Sequence, residues 1–101
     1  MVTKLLERDL EAHFAKQCKQ LGLMTLKLNV RYQRGWPDRL VVLPLGNILW
    51  VELKRPGGKL SPLQDKVIKQ LKSWQQEVYV LDSKEGIDRV LGTACVSDSG
   101  L

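Results

Sequence analysis

The chain has 101 residues, 44% of them hydrophobic, and a formal net charge of +5. That length suits one hydrophobic core, and the apolar fraction excludes extensive disorder. No run reaches the roughly 18 apolar residues of a membrane span. The acid-bearing start MVTKLLERDL also lacks the apolar run of a signal peptide, so a cytoplasmic location is expected.

Residues 3–21 predict an amphipathic helix. Leu6, Leu10, Phe14, Cys18 and Leu21 recur at spacings of three or four, Thr3 can cap the start, and Gly22 can end it in the left-handed conformation. Glu7 and Glu11 lie one turn apart beside this apolar face, and His13 falls on the solvent side. Residues 24–32 alternate apolar and polar, as a strand with one buried face does. Gly35-Trp36-Pro37 breaks the chain. Two Leu/Val/Ile-rich segments, 39–44 and 47–54, then flank Pro44-Leu45-Gly46-Asn47 and predict a hairpin. After the Gly57-Gly58 loop, Ser61 and Pro62 supply a cap and a first helical residue. Val67, Leu71 and Trp74, with Leu63 and Ile68 beside them, give this second helix its apolar face. Residues 77–82 predict a strand and 84–92 a helix, and the aperiodic tail 93–101 is expected to fray. The domain therefore spans 1–92. A helix, three strands, a helix, a strand and a last helix make an α/β sandwich: a meander, then a crossover to a fourth strand in a mixed sheet.

The charge is concentrated in the middle of the chain. Residues 31–72 carry nine basic side chains against three acids, a surplus of six, whereas the rest is slightly acidic. Such a block suits a polyanion, since Lys and Arg contacts to phosphate supply most non-specific DNA affinity; the competing reading is a solvated basic face. Neither Cys18 nor Cys95 has a Cys or His at metal-binding spacing, so idle thiols in a reducing compartment are expected and zinc is not.

The informative segment is Gly35-Trp36-Pro37-Asp38, thirteen residues of hairpin, then Glu52-Leu53-Lys54. Period two puts Glu52 and Lys54 on one face of an apolar strand and Leu49, Val51 and Leu53 on the other. Charged groups there are costly to desolvate without a reason. Asp38 begins the neighbouring strand, and a hairpin sets the start of its first strand beside the end of its second. Asp38, Glu52 and Lys54 can therefore converge. Two carboxylates suit Mg²⁺, and an ammonium can position an attacking water or offset charge developing on a phosphate. Bland alternatives exist: Pro37-Asp38 as a turn, Glu52/Lys54 as an ion pair, Ser61-Pro62-Leu63-Gln64 as a capping box, and Glu11 paired with Arg8 or a lysine.

GWPD followed by VELKRPGGKLSPLQ closely resembles the virus-type replication-repair nuclease (VRR-NUC) domain, a branch of the PD-(D/E)xK nucleases. The resemblance runs from ERDLEAHF to the YVLDSKEGIDRVL end. It implies a restriction-endonuclease-like α-β-β-β-α-β core. It further implies Asp38, Glu52 and the Leu53 carbonyl as metal ligands, Lys54 as the catalytic lysine and Gln64 as a helix residue ordering the site. Glu11 is the implied first-helix acid, reaching the metal directly or through water, with Glu7 as the alternative. Mg²⁺ or Mn²⁺ is the implied cofactor. The implied function is a structure-selective DNA endonuclease, a homodimer like Holliday junction resolvases, serving DNA repair in a bacterial or phage-infected cell. The alternatives are a nicking or flap-type nuclease and a non-catalytic branched-DNA-binding module. Arg31, Arg34, Arg39, Arg55 and Lys59 surround the expected site as phosphate contacts. Trp36 is the tryptophan expected to face DNA, with Trp50 and Trp74 in the core or at a dimer contact.

Overall fold

The structure, a computed structural model, describes residues 6–29 and 33–99, the last five as backbone only. Its elements are α1 (Glu7–Gln20), β1 (Met24–Lys27), β2 (Arg39–Val42), β3 (Ile48–Leu53), α2 (Pro62–Ser73), β4 (Glu77–Leu81) and α3 (Lys84–Ser99). The strands form one sheet in chain order. The β1–β2 and β2–β3 pairs are antiparallel and β3–β4 is parallel, with α2 as the crossover, which is the mixed sheet the pattern predicts.

Period two sorts β3 cleanly. Leu49, Val51 and Leu53 are buried against Leu10, Phe14 and Cys18 of α1 and Ile87 and Leu91 of α3. Trp50 faces the opposite side, where Ile68 and Leu71 of α2 meet Val78 of β4. Truncating a fully buried side chain such as Leu10 or Phe14 to Ala is expected to cost about 3–5 kcal/mol.

Several elements depart from the sequence reading. The described part of α1 begins at Glu7: Leu6 is extended, and its N–H donates to the Asp9 carboxylate at 2.8 Å. The expected cap, Thr3, lies outside the described residues. β1 ends at Lys27, opposite Arg39 at the start of β2; among the described residues the Leu28 N–H donating to the Asp38 carbonyl at 2.7 Å continues the ladder. Arg31 also lies outside the described residues. β1 buries neither face, since it is a sheet edge beyond the reach of α2, and Met24 and Leu26 stay exposed. Trp74 caps the C-terminal end of α2 and is 74% exposed, which removes it from the core. His13 is not solvated: its Nε2 meets Asp88 Oδ1 at 2.7 Å, with only 16% of the side chain exposed, joining α1 to α3. α3 runs past Gly92 to Ser99, so residues 93–99, expected to fray, are helical backbone.

Candidate active site

Glu52 lies in the central strand β3, one residue from its end. The polar side of this strand end faces the start of α2. Ser61 caps that helix: the Gln64 N–H donates to Ser61 Oγ at 3.1 Å, and Gln64 Oε1 accepts from the Ser61 N–H at 2.9 Å. The same Gln64 side chain turns its Nε2 to Glu52 Oε2 at 3.5 Å. The capping box and the contact to the site thus coexist, because the two ends of one amide serve them separately.

Lys54 Nζ lies 4.0 Å from Glu52 Oε2, and both side chains are largely covered, 19% and 14% exposed. The Lys54 backbone is fixed by its N–H donating to the Leu81 carbonyl at 2.9 Å. Asp38 comes from the other side. Arg39 pairs with Val51, so one further step along the antiparallel register sets Asp38 opposite Glu52. Pro37 before it is fully buried, and Trp36 packs on Trp50 with ring centroids 5.6 Å apart. Trp36 is therefore a partly buried ring packed against the core cluster of Ile68, Leu71 and Val78 rather than a free one.

Burial pushes the Glu52 carboxyl up from 4.5 to about 7. The negative charge of Asp38 adds to this, Lys54 opposes it, and Glu7 and Arg39 act more weakly in opposite directions. Like charges therefore gather here with incomplete compensation. That suits a hard cation, although among the described residues no three His, Cys, Asp or Glu side chains converge as a ready metal cluster. Two carboxylates with a backbone carbonyl would leave the remaining positions to water or phosphate oxygens, which is how Mg²⁺ is usually held.

The first-helix acids divide their work. Glu11 Oε2 pairs with Arg39 Nη2 at 3.5 Å, and the Arg39 guanidinium lies 5.7 Å from the centre of the Phe14 ring. Arg39 is thus a largely covered tether between β2 and α1, which takes it away from the phosphate-contact group. Period two carried that signal: Arg39 alternates with Asp38 and shares the Val41 face. Glu7, one turn earlier, is the α1 acid whose charge reaches Glu52. Arg34, Arg55 and Lys59 are exposed. The Gly58 N–H is used in a turn, donating to the Arg55 carbonyl at 2.8 Å. Burial pushes the Cys18 thiol up to about 11, despite the opposing charge of Arg39, so it stays protonated and inert. A depression of about 210 Å³ lined by Leu43, Leu49, Tyr79 and Arg89, among others, lies toward the turn end of the hairpin, away from Glu52.

Comparison with known proteins identifies the family to which this fold belongs. The model of the VRR-NUC domain family matches residues 3–85. A protein of Acyrthosiphon pisum secondary endosymbiont phage 1, named "Putative nuclease p44", is 38% identical over 79 residues, covering 78% of this chain and 85% of its own. A solved VRR_NUC domain superposes with a TM-score of 0.75 at 28% identity, covering 85% of this chain and 94% of its own. A family model matching most of the chain, with the same fold in a solved member, shows that the chain belongs to the VRR-NUC family of nuclease domains.

Proposed function

We propose that this domain is a metal-dependent DNA endonuclease that cuts branched DNA as a homodimer. The observation carrying the proposal is the largely covered Glu52, opposite Asp38 and flanked by Lys54 and Gln64, with its carboxyl pushed up to about 7. Asp38, Glu52 and the Leu53 carbonyl would hold Mg²⁺ or Mn²⁺, with Glu7 rather than Glu11 as the α1 acid acting through water. Bound there, the cation supplies polarisation of the scissile phosphate and a lower pKa for a coordinated water. Lys54 orients that water or offsets charge developing on the phosphate. Gln64 holds the Glu52 carboxylate in one rotamer. Arg34, Arg55 and Lys59 present exposed cations to the DNA backbone.

Dimerisation is supported by the sheet face that α2 leaves bare. Met24, Val42 and Ile48 form one cross-strand row and are exposed, and Leu26 pairs with Leu40 in the next. The charged Lys27 and Arg39 fall on the other face by period two, so this apolar patch can meet its own copy despite the net charge of +5. A two-fold pair of sites also matches the pseudo-symmetry of a four-way junction.

The test is product mapping on a labelled four-way junction in Mg²⁺ and in Mn²⁺, with wild type and Glu52→Gln, alongside sedimentation at micromolar concentration. A dimer making paired symmetric nicks that Glu52→Gln abolishes is the expected result. Single nicks by a monomer would indicate a nicking or flap-type enzyme. Junction binding without cleavage would indicate a binding module.

A further inference from the structure

At Gly35 the loop carrying Asp38 comes unusually close to the helix carrying Gln64. Gly35 has φ +86°, and a Cβ built on it would lie 2.8 Å from Leu63 Cγ and 3.0 Å from the Leu63 carbonyl oxygen. Real Cβ atoms essentially never come as close as 2.8 Å, and the 3.0 Å carbonyl contact is tight as well, so a side chain here would push the loop and Leu63 apart. Leu63 is the residue before Gln64, inside the capped first turn of α2. One residue after Gly35, Trp36 packs on Trp50, two residues before Glu52. Fully buried Pro37 then leads directly to Asp38. The segment 35–38 is thus fastened to α2 by a missing side chain and to β3 by a ring contact.

We infer that Gly35 is a positioning residue. Its lack of a Cβ lets the 35–38 loop seat against Leu63, which sets the Asp38 carboxylate relative to Glu52 and Gln64. The inference rests on the nuclease reading above and adds to it a residue that touches neither DNA nor metal. Two effects of a side chain at this position must be separated: the backbone cost of a positive φ, and the steric wedge against Leu63. Asn tolerates the left-handed backbone yet carries a Cβ, so it isolates the wedge. Leu63 is 44% exposed, so Leu63→Ala removes the obstructing Cγ at small cost elsewhere.

The experiment measures Mn²⁺ affinity by titration calorimetry and single-turnover cleavage of a labelled four-way junction. The proteins are wild type, Gly35→Ala, Gly35→Asn, Leu63→Ala and Gly35→Ala/Leu63→Ala, each first shown to be folded by circular dichroism. Both Gly35 variants are expected to bind Mn²⁺ about tenfold more weakly and to cleave at least about thirtyfold more slowly, with DNA affinity nearly unchanged, since a displacement near 1 Å costs about a hundredfold. Leu63→Ala alone stays within about threefold of wild type, and the double variant recovers at least about fivefold over Gly35→Ala. Wild-type Mn²⁺ binding in Gly35→Asn, or a double variant no better than Gly35→Ala, overturns the inference. A wild type that binds Mn²⁺ but leaves all DNA intact overturns the nuclease reading instead, and the calorimetry still decides the role of Gly35.

Discussion

Gln64 Nε2 reaches Glu52 Oε2 at 3.5 Å while the Oε1 of the same side chain accepts from the Ser61 N–H. One amide therefore ties the folding signal of α2 to the chemistry of β3. The two duties separate by mutation. Ser61→Ala removes the hydroxyl acceptor, with an expected cost of about 1 kcal/mol of stability and little change in rate. Gln64→Ala removes its half of the capping box and the Glu52 donor together. Its stability loss should be similar, and its cleavage rate should fall about tenfold further than that of Ser61→Ala, as for loss of a hydrogen bond to a metal ligand. Denaturant unfolding and single-turnover cleavage of both variants check this.

Glu52 gives the metal-free protein a defined pH dependence. Its carboxyl sits at about 7 in the fold and at 4.5 ordinarily, so the folded state binds this proton more tightly than the unfolded state. The stability it contributes is fully present below 4.5, declines as pH rises, and is gone above about 7. A loss of about 2 kcal/mol between pH 4.5 and pH 8 is expected in EDTA. Glu52→Gln should abolish this dependence and be the more stable protein at pH 8. Denaturation at the two pH values reads both effects.

Cation affinity should run the opposite way. The metal needs ionised Glu52, so Mn²⁺ binding should strengthen about tenfold per unit as pH rises toward 7 and level off above it. Calorimetry across pH 5.5 to about 8.5 follows this.

Glu7 and Glu11 should behave differently although one helical turn separates them. Glu7→Gln removes a negative charge acting on Glu52, so the Glu52 carboxyl should titrate lower and Mn²⁺ should bind more weakly. Glu11→Gln frees Arg39 over Phe14 and should lower stability by about 1 kcal/mol while leaving Mn²⁺ affinity near wild type. Carboxylate NMR titration together with Mn²⁺ calorimetry distinguishes the two variants.

Lys54→Ala should slow cleavage by about a hundredfold to a thousandfold, the scale of losing one electrostatic partner of a developing charge. Mn²⁺ binding should be retained, because this side chain opposes rather than supplies negative charge at Glu52. Burst kinetics at saturating Mn²⁺ separate the chemical step from binding.

The elements around Glu52 were legible because local rules and tertiary structure agree there. Ser61-Pro62 begins α2 as cap and first residue, and Leu49, Val51 and Leu53 alternate against Glu52 as period two requires. Pro44 to Asn47 closes the hairpin through the Leu43 N–H donating to the Asn47 carbonyl at 2.9 Å. What stayed illegible depends on partners distant in sequence. The length of β1 is set by where β2 begins, and the cover over His13 by Asp88 on α3. The contact of Gly35 with Leu63 joins residues far apart along the chain, so no local pattern announces it. Trp74 reads as apolar periodicity, yet α2 ends there and turns it outward.

Electron paramagnetic resonance of Mn²⁺ titrated into the protein at pH 8, for wild type, Asp38→Asn and Glu52→Gln, addresses the site most directly. Saturable binding by wild type, weakened at least about tenfold by either single substitution, is the outcome this geometry predicts. Equal Mn²⁺ binding by all three proteins would show that the two strand-end carboxylates do not share a cation.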